Sequence, residues 1–186
     1  SIVFKHNSDL DLVKNYIQKN DISAFEQLYL KYVKDVFRFV YSRVGRKDIA
    51  EDIVSDTFLS LLDLLKNFDT ERSTNVKSFI IGISFNKIRQ YKQKYLSNNQ
   101  IDIDDEILDD ELDELDEAII EGSEELKLKV RQVVESLDSP QKEVIKMRFF
   151  ESKTVLEVAQ ELKLTEANVR VIQHRTLEKL KILIKL

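Results

Sequence analysis

No cysteine occurs in the 186 residues, and there are only two histidines, three glycines and one proline. Without cysteine, disulfides and thiolate metal sites are excluded, and two well-separated histidines, His6 and His174, do not make a histidine metal centre, so no metal and no cofactor are expected. So little glycine and proline leaves few of the turns that closely spaced hairpins need, which favours an all-α chain. No stretch approaches the ~20 apolar residues that span a bilayer, and Ser1 to His6 lacks the long apolar core of a secretory signal. The expectation is a cytoplasmic protein with no membrane partner, its missing initiator methionine pointing to processing or an expression scar. A Gly-rich phosphate loop, a nucleophile motif and a histidine–carboxylate cluster are all lacking, which argues against an enzyme and against a small-molecule substrate.

What is present is charge, unevenly placed. The formal net charge of −5 divides into +4 over residues 1–100, −14 over 101–125, where no Lys or Arg occurs, and +5 over 126–186. Two mildly basic modules therefore flank an acidic connector, an asymmetry that points to polyelectrolyte partners. Hydrophobic residues make up 42%, enough for a core in each module.

Periodicity places the helices. Ser8 can cap a first helix with Leu10, Val13 and Ile17 on one face, and Asp21 a second carrying Ala24, Leu28, Tyr32, Val36, Phe39 and Val40, ended by Gly45. Asp48 to Glu51 has capping-box spacing and opens a third, with Ile53, Val54, Phe58, Leu61 and Leu65 at three- and four-residue steps. Asn67 to Asn75 is turn-like, and a fourth helix begins with Phe79, Ile80, Ile83 and Ile88 and becomes basic and aromatic. These make one helical domain over 8–96. In the connector, 97–125, Leu108, Leu112, Leu115 and Ile119 fall on one stripe among the acids, so it is either a flexible tether or a conditional helix. The second domain, 126–186, opens with Leu126, Val130, Val133, Val134 and Leu137, breaks at Asp138-Ser139-Pro140 with Pro140 at a first helical position, and resumes over Gln141 to Phe150.

Thr154 to Glu157 is a second capping box, opening a short helix. The break Lys163-Leu164-Thr165 follows, then a longer helix with Val169, Ile172, Leu177 and Leu180 inward and Glu166, Asn168, Arg170, Gln173, His174 and Arg175 outward. A short helix, tight turn and polar-tipped longer helix make a helix-turn-helix, whose second helix enters a DNA major groove; two packed helices without that role have the same pattern. Arg can donate twice to guanine, Asn and Gln can pair with adenine, and Lys179 and Lys181 can meet phosphates.

The stretch Leu137 to Phe149 resembles the opening of region 4 of the sigma-70 family of RNA polymerase sigma factors, of the extracytoplasmic-function (ECF) type, and Val155 to Arg175 resembles its helix-turn-helix. Ala24 to Tyr29 is similar to the opening of region 2, and Asp48 to Leu59 closely resembles that region's most recognisable helix. The resemblance implies an alternative sigma factor with two helical domains, a region 2 bundle and a region 4 helix-turn-helix, joined by an acidic linker. Its partners would be promoter DNA and core RNA polymerase, through the clamp helices of the largest subunit and the flap. It implies polymerase contacts from Glu51, Asp52, Asp56, Phe58, Leu59 and Leu62; single acids there serve equally as a solvated face. For the −35 element it points to Thr165, Glu166, Asn168, Arg170, Val171, His174, Arg175 and Lys179, with Val171 standing where the family often has a polar residue.

For the −10 element it points to Asn75, Lys77, Asn86, Lys87, Arg89, Gln90, Tyr91, Lys92 and Lys94. Opening DNA costs stacking and pairing, and a basic surface with aromatic rings can offset that through phosphates and unstacked bases, while polar groups of the loop 67–78 could cradle a flipped base. Tyr91 and Tyr95, at i and i+4, suit a core equally well. By the same resemblance the linker threads a basic channel of the polymerase; the alternative is that its apolar stripe folds back and masks a basic module. An anti-sigma factor, or a protein that recruits the chain to DNA, fits the same family. The rival reading is a stand-alone helix-turn-helix regulator, which leaves the first domain unexplained.

Overall fold

The computed structural model describes residues 8–97 and 110–185, which form nine α-helices and no strand. Of the connector stripe, Leu108 lies outside the described residues.

The first body contains α1 (Asp9–Lys19), α2 (Ile22–Val44), α3 (Lys47–Leu64), a 3₁₀ turn (Leu65–Asn67) and α4 (Val76–Ser97). Ser8 and Asp11 form a capping box on α1, the Asp21 carboxylate accepts from the Ser23 and Ala24 amides on α2, and Gly45 ends α2 at φ 68°. The third helix starts differently from expectation. Arg46 is its N-cap and offers no side-chain cap; instead its guanidinium grips Asp48 at 2.8 Å, so Asp48 stands inside the first turn, where a carboxylate suits the helix dipole. Leu28, Val36, Val40, Ala50, Leu61, Leu65, Ile80 and Ile88 close the core. Tyr16 donates to the Leu62 carbonyl at 2.8 Å and pins α1 across α3.

The second body contains α6 (Glu124–Glu135), α7 (Gln141–Ile145) continued by a π-helical turn (Lys146–Phe150), α8 (Val155–Leu162) and α9 (Glu166–Ile184). Pro140 sits one residue before α7 rather than inside its first turn. The connector supplies α5 (Asp110–Ile120), whose Leu115 and Ala118 join Val130, Val134, Ile145, Leu177 and Leu180 in one cluster. Val144, Val155, Val158, Ala159 and Val169 form a smaller one.

Between the bodies lies a buried polar node. Arg43, at the end of α2, donates from Nε and Nη2 to Asp116 of α5 at 2.6 and 2.9 Å, and from Nη1 to the Arg148 carbonyl at 2.9 Å. Arg148 returns a bond from Nη1 to the Ser42 carbonyl at 3.0 Å. Both carbonyls lie in the last turn of their helical runs, where intrahelical donors run out, so each arginine caps the other's helix end. The rings of Phe39 and Phe149 lie 4.9 and 5.2 Å from the Arg43 guanidinium.

Candidate nucleic-acid and docking surfaces

On the helix-turn-helix, Thr154 and Glu157 make the expected capping box, and the turn is made by Lys163 in the left-handed region at φ 57°. The Thr165 hydroxyl accepts from the Asn168 amide at 3.2 Å and starts α9. Asn168, Val171, His174, Arg175 and Lys179 are exposed, and three- and four-residue spacing puts Asn168, Val171 and Arg175 on one face. Exposed Glu166 approaches half-buried Arg170 at 3.6 Å, an i,i+4 pair that tethers Arg170 along the helix. One expectation is corrected. Gln173 does not face solvent: it is 3% exposed and accepts from Arg148 Nε at 2.9 Å, so it belongs to the node.

The basic end of α4 presents fewer free charges than its composition suggests. Asn75 caps the helix by accepting from the Ser78 amide at 2.9 Å, and Lys77 pairs with Asp35 at 2.6 Å. Asn86, Gln90 and Lys94 are exposed at i, i+4 and i+8, a polar stripe with one cation. Half-buried Lys87 and Arg89 flank it, Arg89 lying 5.5 Å from the Phe85 ring. Tyr91 and Tyr95 stack at 6.1 Å, and Tyr91 packs on the core. Burial raises the Tyr91 phenol above its ordinary pKa, partly opposed by the Arg46 guanidinium. Lys92 is only 4% exposed, its ammonium 2.6 Å from Asp113 of α5.

A third surface lies between α2 and α3, where Phe25, Tyr29, Val33, Val54, Phe58 and Leu59 line an open, largely apolar groove of about 590 Å³. Tyr29 meets Phe58 edge-on at 4.9 Å. Leu59 is 62% exposed and Leu30, the residue after Tyr29 on α2, 72%, while Glu51, Asp52 and Asp56 are exposed on α3. Phe58, at 5%, is a core side chain that floors the groove, and Leu62 is half-buried against the core.

Sequence reasoning missed Arg43, Asp116 and Arg148 as a group. A signal for the first was there: Val36, Phe39, Val40 and Arg43 share one helical stripe, so a guanidinium falls on a face that must be buried. Among the described residues no group of acids, histidines or cysteines is arranged to hold a metal ion, and no helix is long and apolar enough to cross a membrane.

Comparison with known proteins assigns both bodies. The sigma-70 region 2 family model matches residues 28–99 and the sigma-70 region 4 model residues 133–181. The chain is similar to the ECF RNA polymerase sigma factor BldN of Streptomyces coelicolor, 26% identical, with 88% of the chain matched to 61% of that protein's length. It is also 26% identical to the ECF RNA polymerase sigma factor SigX of Bacillus subtilis, over 85% of the chain and 82% of SigX. Among solved structures, CnrH in complex with the cytosolic domain of CnrY aligns with 95% of the chain and 97% of its own at a TM-score of 0.44 and 22% identity.

Proposed function

The chain belongs to the sigma-70 family, ECF type, and from that premise we propose that it binds core RNA polymerase and directs promoter-specific initiation by reading −35 and −10 elements and helping to open the −10 DNA. The observation that carries this reading is the joint presence, in one chain, of an open apolar groove on α2 and α3 and a helix-turn-helix with Asn168, Val171 and Arg175 on its outer face. A stand-alone regulator has use for the second and none for the first.

Each surface supplies one step. The groove takes up helices of the polymerase largest subunit, with Tyr29 and Leu59 as apolar anchors and Glu51, Asp52 and Asp56 around them as carboxylates facing basic groups. The outer face of α9 enters the −35 major groove, where Arg175 and His174 donate to base edges and Lys179 meets phosphate, while Val171 reads by apolar contact. The stripe Asn86, Gln90 and Lys94, with Lys87, Arg89 and Tyr91 beside it, holds the unpaired −10 strand through phosphates and stacking. Domains over 8–96 and 126–186 serve these two reading tasks separately.

The test is to mix the purified chain with sigma-free core RNA polymerase from its own source and map transcript starts on genomic fragments. Holoenzyme formation with starts sharing −35 and −10 elements is the expected result. A chain that ignores polymerase and binds duplex DNA alone would replace this reading with the regulator.

A further inference from the structure

The turn between α2 and α3 brings a second basic element to the end of α4. Arg46, Lys47 and Asp48 are all exposed there. The Arg46 guanidinium gives one edge to Asp48, from Nε at 3.3 Å and Nη2 at 2.8 Å. Its donors form a rigid planar fork, so the other edge, Nη1 with the second Nη2 hydrogen, is directed away from that carboxylate. That edge makes no hydrogen bond among the described residues. The guanidinium stands within electrostatic reach of the stacked Tyr91 and Tyr95: burial raises the Tyr91 phenol, and the Arg46 charge opposes the rise.

We propose that Arg46 holds a phosphate of the still-paired DNA at the upstream edge of the −10 opening, and that Asp48 is the counter-ion it keeps in the free chain. The inference rests on the sigma reading above and adds to the −10 surface a residue from outside α4. In that reading the unpaired strand lies along Asn86, Gln90 and Lys94. Tyr91 and Tyr95 stand beside this stripe at the end of α4 remote from its Asn75 cap, about 30 Å away at the helical rise per residue. A strand whose flipped base sits in the loop 67–78 therefore has several nucleotides in which to rejoin its complement before it reaches Arg46. Duplex DNA presents phosphates to a side chain at its edge, and a guanidinium edge donates to two phosphate oxygens at once.

Stability alone does not call for an arginine here. With the Arg46 and Asp48 side chains 50% and 68% exposed, their pair is screened by water and holds little of the fold. It does hold the guanidinium in one orientation, ready for a ligand. The carboxylate remains close to the arriving phosphate, so its charge opposes the contact that its hydrogen bonds prepare.

The test titrates holoenzyme, assembled from the full chain and core polymerase, with two probes built on a promoter mapped as above. One is a fork, duplex upstream and single-stranded through the −10 element; the other is the −10 single strand alone. Arg46→Ala should weaken fork binding about five- to ten-fold, leave single-strand binding unchanged, and lower the slope of log affinity against log salt by about 1. Arg46→Lys keeps the charge and loses the fork, so it should recover the salt slope and only part of the affinity. Asp48→Asn should tighten fork binding about two-fold by removing a like charge beside the phosphate. Unchanged fork binding in Arg46→Ala, equal losses on both probes, or a loss in Asp48→Asn matching that in Arg46→Ala overturns the assignment, the last marking the pair as a structural clip. Should Arg46→Ala lower the melting temperature of the free chain, the salt slope of Arg46→Lys and the sign of the change in Asp48→Asn decide in its place. Failure of the unsubstituted holoenzyme to bind either probe sinks the sigma reading and this contact with it, whereas its binding to both leaves Arg46 to be judged alone.

Discussion

Arg43 and Asp116, 73 residues apart in sequence, meet through two parallel hydrogen bonds of 2.6 and 2.9 Å with both side chains 2% exposed. Removing one partner of such a pair strands the other, at a cost of about 3–5 kcal/mol where the charge stays buried. Here it need not stay buried, because the two bodies can part and let water reach Arg43. The free energy of docking therefore caps the loss. Asp116→Ala is expected to expand the free chain, read as a larger radius of gyration by small-angle scattering, while the helical content of both bodies persists. An unexpanded chain that loses the full 3–5 kcal/mol in urea unfolding would mean that the bodies cannot separate.

The groove between α2 and α3 offers a test of polymerase binding that leaves folding alone. Leu59 is 62% exposed, so Leu59→Ala should change stability by no more than about 0.5 kcal/mol. If its side chain anchors a polymerase helix, affinity for core should fall by about 1–2 kcal/mol, roughly ten-fold, in a binding titration. Phe58→Ala is the uninformative choice, since a 5% exposed ring costs about 3–5 kcal/mol of stability on its own account. Unchanged affinity in the Leu59 variant would move the polymerase contact elsewhere.

How much of this was legible from sequence depends on the range of the interaction. Ser8, Asp21, Gly45, Thr154 and Thr165 act within four residues, through caps and left-handed turns whose chemistry is printed in the chain, and the helices they bound were readable. At α3 two local signals competed, and the Arg46 guanidinium took the Asp48 carboxylate that a capping box would have used. The node was not readable as a set: Arg43 reaches Asp116 and Arg148 across 73 and 105 residues, and periodicity says which face is buried but not what it meets there. The same limit applies to Lys92, which local composition marks as a solvent-facing cation and a distant carboxylate draws into the interior. It applies again to Gln173, whose place between Asn168 and Arg175 in the polar half of α9 says DNA and whose buried partner is Arg148.

The turn of the helix-turn-helix carries a measurable strain. Lys163 holds φ 57°, a conformation that costs an L-residue with a side chain about 1 kcal/mol and that glycine adopts freely. Lys163→Gly should raise stability by roughly 0.5–1 kcal/mol in thermal or urea unfolding, the gain reduced by glycine's greater unfolded-state entropy. Thr154→Ala should move it the other way by about 1 kcal/mol, by removing the hydroxyl that accepts from the Glu157 amide. Opposite signs at the two ends of α8 are the expected pattern, and a stability loss at Lys163 would show that its side chain is worth more than its backbone strain.

Arg175 and Gln173 sit two residues apart on α9 and should fail in different assays. Arg175 is exposed on the outer face, where a guanidinium can donate twice to a guanine, so Arg175→Ala should weaken promoter binding by about 1–3 kcal/mol and relax base preference at one position of the −35 element. Gln173 is buried and accepts from Arg148 at 2.9 Å. Gln173→Ala withdraws that acceptor from a buried donor, so the loss of about 1–3 kcal/mol should appear in thermal unfolding, with base preference unchanged. Selecting −35 sequences with holoenzyme assembled from each variant, beside a melting curve of each free chain, separates the two. If Gln173→Ala altered the selected sequence at one base while the melting temperature held, α9 would have to turn on binding DNA, and the arrangement of the node in the free chain would differ from that on the promoter.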